Sequence, residues 1–142
     1  MTSEFSLAVH ALVFLNHKGE TLSSDILAEN ICTNPARVRR VLSRLKKAGL
    51  VQTKEGIDGG YHFCRDPRQL TLDQVAQALE VEFVGASWRS GDQDMDCMIA
   101  SGMANIMDEL YARLDYQCYE SLKGVSIADI DRRIFGEGVQ SA

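Results

Sequence analysis

Asn34 followed directly by Pro35 is the sequence feature that most constrains how this chain can fold. The Asn34 side chain can accept a hydrogen bond from an unpaired N–H of a first helical turn, where Pro35 has no N–H to leave unpaired. A helix is therefore predicted from Pro35 to Ala48, with Gly49 placed where left-handed backbone commonly ends a helix. Its predicted buried stripe consists of four aliphatic residues at helical spacing: Val38, Val41, Leu42 and Leu45.

The surface of this helix opposite the stripe is predicted to be basic. Residues 34–54 contain seven Lys and Arg and no Asp or Glu. The whole chain has a formal net charge of −5, but residues 1–68 sum to +3 and residues 69–142 to −8. A local cationic face on an acidic protein is typical of a nucleic-acid contact, and a solvated charged face is the plain alternative.

The segments on either side complete a helix-turn-helix followed by a wing. A first amphipathic helix is predicted to end near Lys18, and its apolar positions are Phe5, Leu7, Ala8, Ala11, Leu12 and Leu15. A short second helix is predicted with Ser23 or Ser24 as its cap, and its inward residues are Ile26, Leu27 and Ile31. Residues 50–54 and 61–64 are predicted to form two strands joined by a glycine-rich turn. Together they are predicted to form a hairpin.

The second half of the chain is predicted to be helical with one interruption. Residues 71–74 fit a capping box, and the fourth helix after it has an apolar face of Leu72, Val75, Ala76 and Leu79. Residues 81–96 lose helical periodicity and are predicted to form a mobile loop. A long amphipathic helix extends from Cys97 to Leu122, and a last short helix, capped by Ser126, reaches Phe135.

The long helix indicates a homodimer. At about 1.5 Å per residue it would be nearly 40 Å long, which so small a domain cannot cover. Its apolar stripe consists of Ile99, Met103, Ile106, Leu110 and Leu114. Because this stripe needs a partner, a second copy of the chain is the simplest one.

The predicted fold class is therefore mainly α with a small β-hairpin wing, a winged helix-turn-helix plus a long dimerisation helix. The predicted domains are a DNA-binding domain at residues 1–80, a mobile loop at 81–96, and a dimerisation helix with a C-terminal helix at 97–136. No stretch approaches the roughly twenty apolar residues of a membrane span. The first residues also lack the basic start of a secretory signal, so a cytoplasmic protein without membrane contact is expected.

The candidate DNA-binding residues lie on the third helix and in the wing. They are Asn34, Ala36, Arg37, Arg39, Arg40, Ser43, Arg44, Lys47, Gly56, Gly59 and Gly60. The first half of a recognition helix meets base edges, so Arg37, Arg39 and Arg40 are candidates for guanine contacts. Arg44 and Lys47 are expected to meet phosphates. The wing glycines either let the backbone approach DNA or simply make a tight turn, and both readings stay open.

Several segments together carry a resemblance to a known family. They are Thr33-Asn34-Pro35, Val38-Arg39-Arg40, Leu45, Ala48-Gly49-Leu50-Val51, Gly56, Gly59-Gly60-Tyr61, Leu70-Thr71-Leu72 and Ser126-Ile127-Ala128-Asp129-Ile130. In combination they resemble the Rrf2 family of bacterial transcriptional regulators over nearly the whole chain. The resemblance implies a dimer held by crossed long helices that binds palindromic promoter DNA and usually represses transcription.

Two features depart from the family pattern. Glu55 precedes Gly56 in the wing, where members commonly place an arginine that enters the minor groove. Members that bind an iron-sulfur cluster carry three cysteines before the long helix, whereas residues 81–105 contain only Cys97. A cluster ordinarily takes four ligands, so no cofactor is expected here. The chain instead resembles a cluster-free subgroup with one cysteine, for which thiol sensing or another signal is plausible.

One cysteine is a candidate sensor, whereas the other three cysteines and the histidines are predicted to have no such role. Cys97, near a helix N-terminus, is a candidate redox sensor with high expected exposure, although Asp94 and Asp96 oppose a thiolate there. The other three cysteines, Cys32, Cys64 and Cys118, are interpreted as small buried hydrophobes. The three histidines show no metal-ligand spacing, so no metal site is expected.

Two further function classes compete with a DNA-binding repressor. A cysteine-dependent enzyme would need a nucleophile, a base and an orienting group, but Cys64 and His62 share a strand face with no third group evident, so no enzyme is predicted. A regulator that acts mainly through a protein partner could use the loop from Val81 to Asp96. The sequence leaves open whether the signal that controls this regulator is a small-molecule or a protein effector.

Overall fold

The computed structural model describes residues 2–136, so the first residue of the predicted domain at 1–80 lies outside it. The elements within that range are α1 (Thr2–Lys18), α2 (Ser24–Ile31), α3 (Pro35–Lys47), β1 (Val51–Lys54), β2 (Gly60–Phe63), α4 (Leu72–Ala78), α5 (Met98–Leu122) and α6 (Ile127–Phe135). The two strands form one antiparallel hairpin. The predicted fold class, mainly helical with a small hairpin, is confirmed.

The core is built where α1, α2, α3 and α4 pack together. All four residues of the predicted α3 stripe are fully buried, as are Leu12 of α1 and Leu27 of α2. The predicted apolar face of α4 is buried as well. Burying a leucine or valine side chain contributes about 1.5–3 kcal/mol, so this shared core fixes the orientation of α3 and hence of its polar face.

Side-chain caps begin the helices at the residues that the sequence indicates. Asn34 Oδ1 accepts a hydrogen bond from the Arg37 N–H at 2.8 Å, with Pro35 at the start of the helix. Ser23 rather than Ser24 caps α2, because its Oγ accepts from the Ile26 N–H at 3.2 Å. Each such cap satisfies an N–H that the helix itself leaves unpaired.

The hairpin pairs Val51 with Phe63 and Lys54 with Gly60. The first strand starts one residue later than predicted, and the second strand begins and ends one residue earlier. The late start of the first strand results from the end of α3. The Leu50 N–H donates to the Leu45 carbonyl at 3.0 Å, which keeps Leu50 in the turn that closes the helix. The second strand also bridges to Leu22, the residue before the α2 cap.

The chain divides into two compact units, one of residues 2–81 with 122–136 and one of residues 82–121. In the first unit, α6 packs on α1, and its cap is reciprocal: Ser126 Oγ accepts from the Asp129 N–H, and Asp129 Oδ2 accepts from the Ser126 N–H. The prediction grouped this helix with the long helix, whereas the compact units group it with the winged helix-turn-helix.

The second unit contains the irregular segment and nearly all of α5. Residues 82–97 form no helix or strand, in line with the prediction, and hydrogen bonds tie them to the helix. Asp115 accepts from the N–H groups of Phe83 and Val84 at 2.6 and 3.1 Å, and Arg89 pairs with Asp108 at 2.7 Å. The mobility of this loop stays a prediction.

Several side chains are more exposed than the sequence predicts, among them Ile31, which is half-buried. Ile26 is half exposed, because only the face of α2 carrying Leu27 and Ala28 turns into the core of this short helix. Cys32 is exposed rather than buried, because it ends α2 in left-handed backbone with φ 66°, which directs the chain outward into the turn. Cys64 and Cys118 are half-buried.

Within residues 2–136, no helix combines the length and apolar character that crossing a bilayer requires.

Candidate nucleic-acid interface

The face of α3 opposite the core carries the basic residues. Ala36, Arg39, Arg40, Ser43 and Lys47 are exposed, while Arg37 and Arg44 are half-buried. The structure therefore brings the predicted helix residues together on one side of α3. Asn34, by contrast, directs its side-chain oxygen at the helix backbone, so its main role here is to begin the helix.

The arginines of the first half of α3 are only weakly held. Arg39 Nη1 donates to the Ser24 hydroxyl at 3.2 Å, and Arg40 Nε lies 4.0 Å from Glu4 Oε2. An exposed ion pair of this length contributes little, typically below about 1 kcal/mol. Both guanidinium groups can therefore leave these contacts for a phosphate or a base edge at low cost.

Arg44 is engaged within the fold. Its Nη2 donates to the Leu79 carbonyl at 2.5 Å and lies 3.7 Å from Glu80 Oε2. Leu79 ends α4, so Arg44 ties the recognition helix to the last carbonyls of that helix. The predicted role of Arg44 at a phosphate competes with this structural role. The sequence does not disclose the contact with Leu79, because the two residues lie far apart in the chain.

Lys46 is a residue of this region that the sequence reasoning did not single out. Its Nζ donates to Thr53 Oγ1 at 2.9 Å, which links α3 to the first strand of the wing. The pair lies on the exposed side of both elements. It is one contact between the wing and the recognition helix, and a run of lysines alone does not disclose that contact.

The three wing glycines have different roles. At Gly59 a side chain would lie 2.4 Å from the Lys54 carbonyl, and at Gly60 it would lie 2.2 Å from the Leu22 carbonyl. Both therefore serve the tight turn and its packing, one of the two readings left open. Gly56 has φ 106° and open space around it, and Ile57 beside it is fully exposed at the wing tip. Only Gly56 is free to let a backbone approach a ligand.

Cys97 lies directly before α5 and is exposed, as predicted. Backbone N–H groups of Ala100 and then of Ile99 point at its sulfur and hold the pKa of the thiol below its ordinary value. The helix start thus favours the thiolate, although Asp94 and Asp96 precede it.

Cys64 and His62 do not form a catalytic pair. His62 Nε2 lies 3.2 Å from Gln52 Oε1, and the Cys64 thiol donates to the Gly49 carbonyl at 3.4 Å. Each side chain thus has its own partner on a neighbouring segment.

These elements define a class. A helix-turn-helix whose second helix buries one face and exposes a basic one, followed by an antiparallel hairpin, is the winged helix-turn-helix of DNA-binding regulators.

Comparison with known proteins specifies the family. The model of the Rrf2 family, described as an iron-dependent transcriptional regulator, matches residues 1–133. The chain belongs to the Rrf2 family and is a transcriptional regulator, not an enzyme. The resemblance found in the sequence is confirmed.

Relatives of similar length agree with this assignment. YwnA of Bacillus subtilis, an HTH-type transcriptional regulator by name, is 26% identical over 135 residues, covering 95% of this chain and 99% of that protein. A crystal structure of a regulator from Lactobacillus plantarum has a TM-score of 0.84 at 24% identity, over 97% of this chain and 93% of that one. CymR, the global cysteine regulator of B. subtilis, has a TM-score of 0.67 at 18% identity, over 94% and 96%. These two structures share the fold.

The family description names iron, but the residues that the structure describes do not fit an iron centre. Among residues 2–136, no three His, Cys, Asp or Glu side chains lie close enough together to hold one metal ion. Residues 81–105 supply a single thiol, whereas a cluster ordinarily takes four ligands.

Proposed function

We propose that this protein is a cytoplasmic, homodimeric repressor that binds a palindromic operator in double-stranded DNA through α3 and the wing. The observation that carries the proposal is the geometry of α3, whose apolar stripe is completely buried while Arg39 and Arg40 are exposed on the opposite side. A helix anchored in this way presents its polar face as a rigid surface. Such a surface fits the major groove, which admits one α-helix.

The proposed contacts divide between bases and phosphates. Arg37, Arg39 and Arg40, on the first half of α3, are proposed to reach base edges, where arginine donates two bonds to guanine. Lys47, at the last turn, is proposed to meet phosphate. Ala36 and Ser43 lie on the same exposed side and are proposed to approach the groove wall. In the wing, Gly56 is proposed to approach the backbone of the DNA.

The homodimer is supported by the exposure of the α5 stripe. Its five residues, Ile99, Met103, Ile106, Leu110 and Leu114, range from 39 to 76% exposed in the single chain. Contiguous exposed apolar residues on one helix face mark an interaction surface. A second copy supplies a matching stripe, and a two-fold dimer then presents two recognition helices to the two halves of a palindrome.

Arg40→Ala is expected to weaken operator binding by about 1–3 kcal/mol and to relax specificity at one base pair, because a bidentate guanine contact is lost. Fluorescence anisotropy with operator and scrambled duplexes over a salt series measures both effects. Affinity of the unmodified protein should fall steeply as salt rises, because phosphate contacts release counterions. Arg68→Ala, which removes the same charge from an exposed site beside Asp66, is the control. Equal affinities for the two variants would remove Arg40 from the interface.

A redox response through Cys97 is the second part of the proposal, supported by its exposure and its lowered thiol pKa. Oxidation to a sulfenic acid or a disulfide at the start of α5 would disturb the helix that carries the dimer stripe. The spacing of the two recognition helices, and with it operator affinity, would then change.

Cys97→Ser is expected to abolish the change in operator binding that peroxide causes in the unmodified protein. Alkylation of Cys97 should also reach half its maximal rate at a lower pH than an ordinary cysteine, whose pKa is about 8.5, because the thiolate is the reactive form. Mass spectrometry follows the alkylation, and anisotropy follows the binding. Cys32→Ser is the control, since that thiol is also exposed. A peroxide response that persists in Cys97→Ser and disappears in Cys32→Ser would move the sensor to the helix-turn-helix.

A further inference from the structure

A polar pocket of about 370 Å³ lies where the end of α1 and the segment after it meet β2. All of its lining residues belong to the first compact unit, and none of them is among the residues proposed to contact DNA. The volume lies within the range of about 300–1,000 Å³ that pockets for small ligands occupy. The pocket is therefore a second candidate site, separate from the recognition helix.

The pocket carries one charged side chain of each sign. Glu20 follows α1 and Arg65 follows β2, and both are exposed. Within residues 2–136, neither side chain forms a hydrogen bond or an ion pair, so both charges are available to a ligand. A simple anion would be repelled by Glu20 and a simple cation by Arg65. A ligand that carries both charges is therefore the best electrostatic match.

His62 adds an unsatisfied acceptor to the same wall. Its Nε2 lies 3.2 Å from Gln52 Oε1, so in the neutral ring Nε2 donates and Nδ1 is left as an acceptor. Nδ1 is buried and has no hydrogen-bond partner among the described residues. An unpaired buried polar atom costs about 1–3 kcal/mol. A ligand that brings N–H donors into the pocket, as an ammonium group does, can recover part of this cost.

The rest of the lining fits a short side chain. Leu15 is buried and Phe63 is half-buried, which gives the pocket a small apolar surface. Asn16 and Thr21, both half-buried, add an amide and a hydroxyl that can donate and accept. A small zwitterion whose two charges flank a single carbon and whose side chain is short matches these walls. A free α-amino acid has that chemistry.

The pocket is joined to the wing by backbone hydrogen bonds. Leu22 and Tyr61 bridge the two segments, with N–H to carbonyl distances of 2.9 and 2.8 Å in the two directions. Thr21 and His62, which line the pocket, are the immediate neighbours of these two residues. A ligand that holds the end of α1 against β2 therefore acts on the segment that carries the wing. It would shift operator affinity by as much as its own affinity differs between wing positions.

We propose that this pocket binds a free α-amino acid as an effector, with the ligand carboxylate at Arg65 and its ammonium group at Glu20 and His62. The binding site itself does not depend on the proposed function. Its effect on operator affinity rests on that function, so the two are measured separately.

The proteinogenic L-amino acids, added one at a time at millimolar concentration, should include at least one that raises the melting temperature, because a ligand of the folded state stabilises it. Isothermal titration calorimetry should then give one site per chain. The methyl ester of that amino acid lacks the carboxylate and its N-acetyl derivative lacks the ammonium group, so each should bind at least about tenfold more weakly. A panel without any binder, or derivatives that bind as tightly as the amino acid, would overturn the proposal.

Glu20→Gln and Arg65→Gln locate the site. Both residues are exposed, so the variants keep the fold, and each should weaken binding of that amino acid at least about tenfold. Arg68→Gln is the matched control, since Arg68 is an exposed arginine that pairs with Asp66 and does not line the pocket. It should bind the amino acid as the unmodified protein does. Equal affinities of all three variants would place the binding elsewhere and overturn the site.

Fluorescence anisotropy with the operator tests the effector role. A saturating concentration of the amino acid should change the operator dissociation constant of the unmodified protein at least about fivefold and leave that of Glu20→Gln unchanged. Binding of the amino acid without any change in operator affinity would overturn the effector role. A protein that binds the amino acid but no DNA would instead overturn the proposed function and leave the pocket assignment intact.

Discussion

Leu110→Glu is expected to convert the dimer into a folded monomer and to lower operator affinity about 10²- to 10⁴-fold. Leu110 is 41% exposed in the single chain, so a glutamate there costs the monomer little. In the dimer the same carboxylate would be buried without a partner, which costs several kcal/mol. The large effect on DNA follows from linkage, because two joined recognition helices bind two half-sites far more tightly than one helix binds one.

Sedimentation measures the oligomeric state of the Leu110→Glu protein, and circular dichroism shows whether it is folded. Fluorescence anisotropy with a palindromic duplex measures its affinity for DNA. Ala112→Glu is the matched control, since Ala112 is exposed on α5 at about 200° around the helix from Leu110. It adds the same charge to the same helix away from the stripe. A Leu110→Glu protein that remains dimeric and binds the operator normally would show that the stripe does not form the interface.

The parts of the fold that the sequence predicted best are those fixed by neighbours within one helical turn. A cap such as Asn34 acts on an N–H three residues away, and the α3 stripe repeats at steps of three and four. The same local rules predicted the end of α1 near Lys18 and the Ser126 cap of α6. Each of these signals needs only the order of residues in a short window.

The parts that the sequence did not disclose depend on contacts between distant segments. Arg44 meets Leu79, and His17 meets Asp131, only because tertiary packing brings their helices together. Arg44, which the sequence predicted at a phosphate, therefore makes a contact within the fold, and His17 joins α1 to α6. The pocket between the end of α1 and β2 is likewise invisible in the sequence, because its two walls lie far apart in the chain.

In the candidate DNA-binding site, too, some features follow from local sequence and others from contacts between distant segments. Helical spacing placed Ala36, Arg40 and Lys47 on one face, and the structure exposes all three. Spacing alone did not distinguish Gly56 from Gly60. The two differ because the backbone of Leu22 lies close to Gly60, whereas no atom lies close to Gly56. Local pattern thus predicts which residue types gather at the interface, and packing decides which of them are free to bind.

Gly60→Ala is expected to destabilise the fold by about 2–6 kcal/mol. Gly60 has φ 150°, and a side chain there would lie 2.2 Å from the Leu22 carbonyl oxygen and 2.5 Å from its carbon, both backbone atoms with little room to move. Leu22 and Tyr61 exchange two backbone hydrogen bonds of 2.9 and 2.8 Å that would have to separate. A strained backbone costs about 1–3 kcal/mol and each lost bond about 0.5–1.5 kcal/mol, which together give the expected loss.

Urea unfolding at one fixed protein concentration measures this loss, because dimer stability depends on concentration. Variants at two further glycines separate the effect of backbone strain from the effect of the clash with Leu22. Gly56→Ala has the strained φ of 106° but open space, so it should cost about 1–3 kcal/mol from strain alone. Gly124→Ala has open space and no left-handed backbone, so its effect should stay within about 0.5 kcal/mol. A Gly60→Ala protein no less stable than Gly56→Ala would mean that the close approach of Gly60 to Leu22 does not constrain the second wing strand.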